Sequence, residues 1–452
     1  MSTSITMHGG IRVIGGTKAL IETETVRLLL DIGLDIPEGP DLFRAPVAER
    51  EGRELADRLL TDHAPWVPGL YDPAQLRVAA GTPADRARLE DLAQQGEREQ
   101  RPLAVVLSHA HIDHDGLLPF LDPAVPVYAH PDTITLHRAL EAAGSLPAGG
   151  AQHMVPLGDG ESLQHGELQV SVHRVDHDVR GAVGTLVRAP EGLIAYTGDI
   201  SLHCAGGHNT RAFLQAAHGA DVLICETTML SFDPLPPEPA DEATVMQQVR
   251  ETIRGAGESL VLLSAYERDV DRCAALMEAA AQEGRAVIWP GMHAAVLTAM
   301  GVQGVHTWAE DRPQRALQAQ AGELARRLGA QTVPHAQVCE QPSAFVVQTD
   351  AQDAPALLDL PLGEGTVWIH SQGEPLGPFM ADWQVWQDWL SHVKVPTVRC
   401  ASSGHAGPLA LREIVETIAP QRVLAVHGFA PERLEVPGCE IILPEQGEPI
   451  AL

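Results

Sequence analysis

Within six residues the chain carries His109-Ala-His111-Ile-Asp113-His114, three imidazoles and a carboxylate placed directly after the apolar run Leu103-Ala-Val-Val-Leu107. A buried strand that runs into a polar loop delivers side chains to its carboxyl end, where open α/β sheets gather their ligands. Imidazole nitrogen and carboxylate oxygen suit zinc, or a metal of similar preference. Alternation along an extended loop sends His109 and His111 one way and leaves Asp113 and His114 for a second ion. Further polar residues stand at later strand ends. His177 follows Leu168-Gln-Val-Ser-Val-His173, Asp199 follows Leu193-Ile-Ala-Tyr-Thr197, Glu226 closes Asp221-Val-Leu-Ile-Cys225, and His427 closes Arg422-Val-Leu-Ala-Val426. One carboxylate can bridge two metal ions, which makes Asp199 a candidate, although a lone turn aspartate or strand-end histidine is ordinarily structural. Asp31, after Val26-Arg-Leu-Leu-Leu30, reads either as a partner that fixes the metal loop or as a simple strand-end cap.

The elements that must position these residues are spread over 452 positions, enough for two domains or for one domain with a large insertion. Sixty acidic residues against 31 basic ones remove any long-range attraction to nucleic acid, which excludes a nonspecific coat protein. A dinuclear site would still place positive charge where a phosphate sits. The start, Met1-Ser-Thr-Ser-Ile-Thr-Met, lacks the basic and apolar parts of a secretory signal, and no apolar run reaches membrane-spanning length. Cysteines at 204, 225, 273, 339, 400 and 439 form no close pair, the pattern of free thiols in a cytoplasmic protein.

In chain order, strands are expected at 11–14 and 26–30, then a proline-rich excursion over 34–100 with a helix at 83–95. That stretch is too long for a plain connection and is expected to cover part of the site or a neighbouring molecule. A strand at 125–128 and a helix at 132–143 follow the histidine loop. Asp233-Pro-Leu-Pro-Pro-Glu-Pro reads as a linker between domains. Beyond it, helix 241–254, strand 259–264, helix 269–283, strand 285–289, helix 313–328, strands 343–348 and 366–369, and helix 380–392 alternate as in a parallel sheet. The last stretch gives a strand at 395–399, then Ser402-Ser403-Gly404-His405, and a helix at 408–419.

Taken together, these residues resemble the metallo-β-lactamase superfamily and, within it, the β-CASP branch of nucleases, most of all ribonuclease J and its shorter relatives. His109, His111, Asp113 and His114 match the signature HxHxDH, and His177 and Asp199 match the two later ligand motifs in the same order. Glu226 matches the branch's motif A acid, His405 its motif B histidine and His427 its motif C histidine. Histidine at that last position favours RNA-directed members over DNA-directed ones. The resemblance implies an αββα sandwich built from residues 1–234 and 394–452, with a β-CASP domain inserted at 235–393.

It further implies two divalent metal ions, zinc foremost and manganese as the alternative. The first would take His109, His111 and His177, the second Asp113, His114 and His427, with Asp199 bridging. A hydroxide shared by the ions would attack RNA phosphorus, and the catalytic residues would be His405, held by Glu226, together with Asp113. The implied activity is hydrolysis of RNA phosphodiesters, 5′ to 3′ exonucleolytic with endonuclease activity beside it. The partner is single-stranded RNA. Candidate contacts are Ser264 and Arg268 in Ser264-Ala-Tyr266-Glu-Arg268, Ser371 in His370-Ser371-Gln-Gly373, and Ser403. With 4 tyrosines and 7 phenylalanines in the chain, those contacts are expected to be polar rather than an extended aromatic platform. Only 25 residues follow His427, where ribonuclease J has a further domain, so the homodimer of that family is left open. Two rival readings stand beside this one. One is a metallo-hydrolase of a small ester, lactone or thioester; the other is a catalytically silent scaffold of an RNA-processing complex.

Overall fold

Short apolar runs punctuated by glycine and proline fold into three seven-stranded sheets in the computed structural model, which describes residues 3–36, 42–43, 47–309, 316–373, 376, 380 and 382–452. The first sheet has the order Pro449–Ala451, Ser4–Gly9, Lys18–Glu22, Arg27–Leu30, Leu103–Val106, Val127–Ala129, Met154–Pro156. The second runs Glu440–Ile442, Arg422–Val426, Val222–Glu226, Gly192–Tyr196, Val183–Ala189, Leu168–Arg174, Ser162–His165. Their facing sides share one core, in which Ile21, Leu28, Leu30 and Val106 of the first sheet meet Val172, Val187, Ile224 and Leu424 of the second. Each such side chain taken out of water contributes roughly 1.5–3 kcal/mol.

Helices cover both outer faces. Pro83–Arg98 and Glu54–Leu60 lay Leu89, Leu92, Leu55 and Leu59 against Leu29, Val105 and Leu107 of the first sheet. His208–Ala216 and Pro408–Ile418 lay Phe213, Leu214, Leu411 and Ile414 against Leu223, Cys225 and Val423 of the second. This is the αββα layering. The excursion over 34–100 therefore serves largely as outer wall of the first sheet rather than as a cover for the site, while 37–41 and 44–46 lie outside the described residues.

The third sheet is wholly parallel, in the order Gln331–Val333, His306–Trp308, Ala286–Trp289, Phe345–Gln348, Val261–Ser264, Val367–His370, Thr397–Arg399. Its central strands Val261–Ser264 and Phe345–Gln348 are buried on both faces, which explains their apolar runs, while the edge strands Gln331–Val333 and Thr397–Arg399 are largely exposed. Thr397–Arg399 pairs with Val367–His370, so this sheet extends past position 393 before the chain returns to the second sheet.

The expected strand at 11–14 shrinks to Ile14–Gly15, paired with Asp35–Ile36. Left-handed backbone at Gly10, Arg12, Gly15 and Gly16 turns the chain repeatedly there, and the long strands are the unforeseen Ser4–Gly9 and Lys18–Glu22. The helix Gly291–Ala299 was also unforeseen, because it opens on a proline and a glycine. Glycine is required at that start: a Cβ on Gly291 would stand 1.9 Å from the Gln318 carbonyl oxygen of the neighbouring helix Ala316–Leu328.

Candidate metal centre

Three neighbouring strands of the second sheet, Gly192–Tyr196, Val222–Glu226 and Arg422–Val426, run parallel and so end on one edge. That edge receives Asp199, Glu226 and His427. Leu168–Arg174 points the same way through two antiparallel pairings and brings His177 to the same edge. Across the core, Leu103–Val106 of the first sheet ends opposite them and is followed by the histidine loop. Register thus assembles residues more than three hundred positions apart.

His109, His111, His177 and Asp199 place one donor atom each within 4.8 Å of one another, and so do Asp113, His114, Asp199 and His427. Asp199 belongs to both sets. Its Oδ2 lies 3.2 Å from His114 Nε2 and 3.6 Å from His177 Nε2, and its Oδ1 lies 3.3 Å from His427 Nε2. Asp113 Oδ2 stands 3.3 Å from His427 Nε2. Packing leaves the loop no room to move: a Cβ on Gly33 would be 1.5 Å from the Asp113 carbonyl oxygen.

The partners behind these side chains fix which ring nitrogen carries the proton. Asp31 accepts from Ser108 N at 2.7 Å, Ser108 Oγ at 2.7 Å and Tyr196 Oη at 2.5 Å, and lies 2.8 Å from His114 Nδ1. Of the two sequence readings for Asp31, the orienting one matches this arrangement. Ser108 Oγ, its proton given to Asp31, is left to accept from His109 Nδ1 at 2.9 Å. His177 Nδ1 donates to the Gly404 carbonyl at 2.8 Å, and His427 Nδ1 meets Thr228 Oγ1 at 2.8 Å. With Nδ1 engaged in this way, each of these rings turns its Nε2 inward.

Those inward nitrogens crowd one another. His114 Nε2 and His427 Nε2 are 3.0 Å apart, and His177 Nε2 is 3.3 Å from His111 Nδ1. Nitrogens at such distances need a proton or a cation between them, since two bare lone pairs would repel. Neither oxygen of Asp199 accepts a well-aligned hydrogen bond, although the residue is 1 % exposed, and His111 Nε2 is likewise buried without a partner. An unmatched buried carboxylate is costly, so these orphaned atoms fit divalent cations. Burial, with neighbouring histidines added, pushes His109 well below the usual imidazole range, and burial holds His111 at about 4, so both keep a lone pair for a metal. Burial works against a charged His114 too, yet Asp199, Asp113 and Asp31 outweigh it and raise its pKa, because three carboxylates face that ring.

Next to this pair of donor sets, Asp199, Glu226 and His405 form a third convergence. His405 Nδ1 is 3.0 Å from Glu226 Oε2 and 3.9 Å from Asp199 Oδ2. Glu226 is aimed by Ile200 N at 3.1 Å and Thr228 N at 3.2 Å. Burial disfavours the charged His405, but Glu226 and Asp199 prevail and lift it to about 10, so the ring holds a proton at neutral pH.

The four suggested substrate contacts are all buried. Arg268 Nη1 donates to the Ala110 carbonyl inside the histidine loop at 2.6 Å. Ser371 N donates to the Ser264 carbonyl at 2.8 Å, and Ser403 Oγ accepts from His405 N at 3.2 Å. Gly373 presses on the His405 loop, where a Cβ would stand 2.2 Å from the Ser402 carbonyl oxygen. Arg268 and Ser403 thus join the centre, while Ser264 and Ser371 form a seam at the ends of the third sheet. One residue passed over in the sequence is Asp178, whose Oδ1 is 3.1 Å from His177 Nε2 and 3.7 Å from His111 Nε2 and accepts no hydrogen bond. Its adjacency to His177 was the available signal.

With sheets and donors in place, comparison with known proteins gives the class. A family model described as a beta-lactamase superfamily domain matches residues 74–263. That match covers less than half of the chain, and the two facing sheets with helices on their outer faces agree with it. The chain's relatives narrow the likeness to ribonuclease J. Ribonuclease J of Mycolicibacterium smegmatis is 28% identical over 211 residues, covering 45% of this chain and 36% of that protein. Ribonuclease J 1 of Streptococcus pyogenes serotype M3 is 22% identical over 383 residues, covering 78% of this chain and 64% of its own length. The chain thus spans little more than a third of the Mycolicibacterium smegmatis protein it matches. A crystal structure of a protein of unknown function from Enterococcus faecalis V583 superposes over 100% of both chains with a TM-score of 0.80 at 28% identity. Among the described residues no helix is long and apolar enough to cross a membrane.

Proposed function

We propose that this protein is a metal-dependent ribonuclease that hydrolyses single-stranded RNA, 5′ to 3′ from an end and with endonucleolytic capacity. The observation that carries the reading is the Glu226–His405 pair, 3.0 Å apart and set against Asp199 without belonging to either histidine-rich donor set. A proton source beside a polar-atom cluster suits a substrate whose leaving group is a poor one, such as a ribose oxygen. Hydrolysis of a lactone or thioester has far less need of it. The names of the relatives support RNA as substrate.

His109, His111 and His177 would hold one cation, Asp113, His114 and His427 a second, with Asp199 between them; zinc suits this donor set and manganese is the alternative. Two such ions would supply positive charge against the phosphoryl oxygens and make a bound water more acidic. His405 Nε2, on the ring edge away from Glu226, hands its proton to the departing ribose 3′ oxygen. Glu226 keeps the ring oriented and favours its reprotonation from water after the proton has left. Asp113 balances the cationic side of the centre, and Ser403 fixes the backbone of the His405 loop. Ser264, Ser371 and Arg268, buried at the ends of the third sheet, would back the surface over which the RNA strand approaches.

A silent scaffold is disfavoured because all seven donor residues converge. The deciding experiment incubates protein loaded with zinc or manganese with end-labelled single-stranded RNA bearing a 5′-monophosphate or 5′-triphosphate, and in parallel with small esters. Mononucleotides from the monophosphorylated RNA are the expected product. Intact RNA alongside rapid ester hydrolysis overturns the reading.

A further inference from the structure

The loop that carries His405 is gripped at three successive carbonyls. Ser402 O accepts from Arg272 Nη1 at 2.9 Å, Ser403 O from His203 Nε2 at 2.6 Å, and Gly404 O from His177 Nδ1 at 2.8 Å. Only the last donor belongs to the metal centre. Arg272 reaches in from the helix Val270–Gln282 and is itself held by Glu242 and Asp269, at 3.2 Å and 3.4 Å from its Nε. His203 comes from the segment after Asp199, where burial keeps its imidazole in the neutral form that donates through one nitrogen. Lateral movement is blocked as well, since a Cβ on Gly404 would stand 2.3 Å from Asp178 Cγ, and Ala406 N closes the loop on the Ile200 carbonyl at 2.7 Å.

Three consecutive peptide oxygens taken up by three side chains from separate elements is more than an ordinary turn needs. We infer that His203 and Arg272 are positioning residues for His405, holding its loop so that the ring stays within reach of the departing oxygen. This rests on the proposed proton transfer from His405. A general acid works only at hydrogen-bond distance, and a displacement of about 1 Å can cost a hundredfold in rate. Without His203 the buried Ser403 carbonyl must find water or another donor, and the loop shifts to provide one. Arg272 adds a second consequence. Because it is anchored on the parallel-sheet unit, the placement of His405 depends on how that unit seats against the sandwich.

The test compares an ordinary RNA linkage with the same RNA carrying a 3′-bridging phosphorothiolate, whose sulfur departs without needing a proton. His203→Ala should lower kcat on the ordinary linkage by about tenfold to a hundredfold with KM changed less than about twofold. His203→Gln, which keeps an amide donor at similar reach, should recover most of that loss, and Arg272→Lys should fall between the two. All three should retain wild-type metal content, lose at most a few degrees of melting temperature, and cleave the sulfur linkage at close to the wild-type rate. The double variant His203→Ala with His405→Ala should be no slower than His405→Ala alone, because both remove one proton transfer. If His203→Ala does not fold, His203→Asn replaces it, one methylene too short to keep the contact. Equal slowing on both linkages, loss of metal, or additive losses in the double variant overturns the inference. A wild-type protein that cleaves neither linkage instead overturns the nuclease reading beneath it.

Discussion

Two sets of strand ends in this molecule carry polar residues, and they differ in one respect. At the ends of the third sheet, buried polar groups largely satisfy one another. Gln348 accepts from Ala265 N at 2.9 Å and donates to the Ala265 carbonyl at 3.2 Å, His293 meets that same carbonyl at 3.1 Å, and Ser371 N is bonded to Ser264. At the edge shared by Asp199, Glu226 and His427 the opposite holds. Rings are tied down from behind and their inward nitrogens face one another at 3.0–3.3 Å, while His111 Nε2 and both oxygens of Asp199 lack aligned partners. A satisfied network builds a scaffold, whereas donors held in mutual opposition mark a place prepared for something else. The third sheet has its own smaller exceptions, His370 Nδ1 and Ser371 Oγ, buried without partners beside the cleft.

The contrast can be broken most directly at Asp199. Asp199→Asn removes the charge common to both donor sets and should lower RNA cleavage by about a thousandfold, the scale of losing one preorganised electrostatic group, with reduced metal content by elemental analysis. Retained metal and activity would dissolve the distinction drawn here. His405→Ala should slow cleavage by about 10²- to 10⁴-fold while both metals stay bound, read by single-turnover kinetics beside metal analysis. Asp31→Asn leaves the donors intact but frees His114 and Ser108 behind them, so metal affinity should weaken by about tenfold to a hundredfold in competition titrations with a chelating dye. Stripping the metals with a chelator should lower the melting temperature by a few degrees, since ligands bound only by the folded state stabilise it, and adding zinc should restore it. Ser371→Ala tests the other side of the comparison. It should leave melting temperature and metal content unchanged and raise KM for RNA by about threefold, consistent with a lost hydrogen bond of about 0.5–1.5 kcal/mol.

Much of the fold was legible because its strands are unbroken apolar runs with turn residues between them. Val222–Glu226, Val261–Ser264 and Arg422–Val426 fall within a residue or two of the expected bounds. The failures have physical causes. Ser4–Gly9 mixes polar and apolar residues because it lies beside a bulge and a cluster of turning glycines, and Gly291–Ala299 starts on residues that ordinarily stop helices. In the centre, strand ends marked His177, Asp199, Glu226 and His427 as candidates, and it was the family resemblance that joined them with His405 in one site. Asp178, His203 and Thr228 carried no such mark, since their partners are backbone atoms or rings brought near by tertiary contact alone. Burial of Arg268 was hidden for the same reason: no local pattern says that a loop arginine will reach a carbonyl 158 positions away.

His427 enters from a strand whose only route into the sheet is pairing with Val222–Glu226 and Glu440–Ile442. A chain that has been made, or has refolded, only through the third sheet therefore owns one complete donor set and a gap in the second. Both donor sets are complete only where Arg422–Val426 has paired into the second sheet.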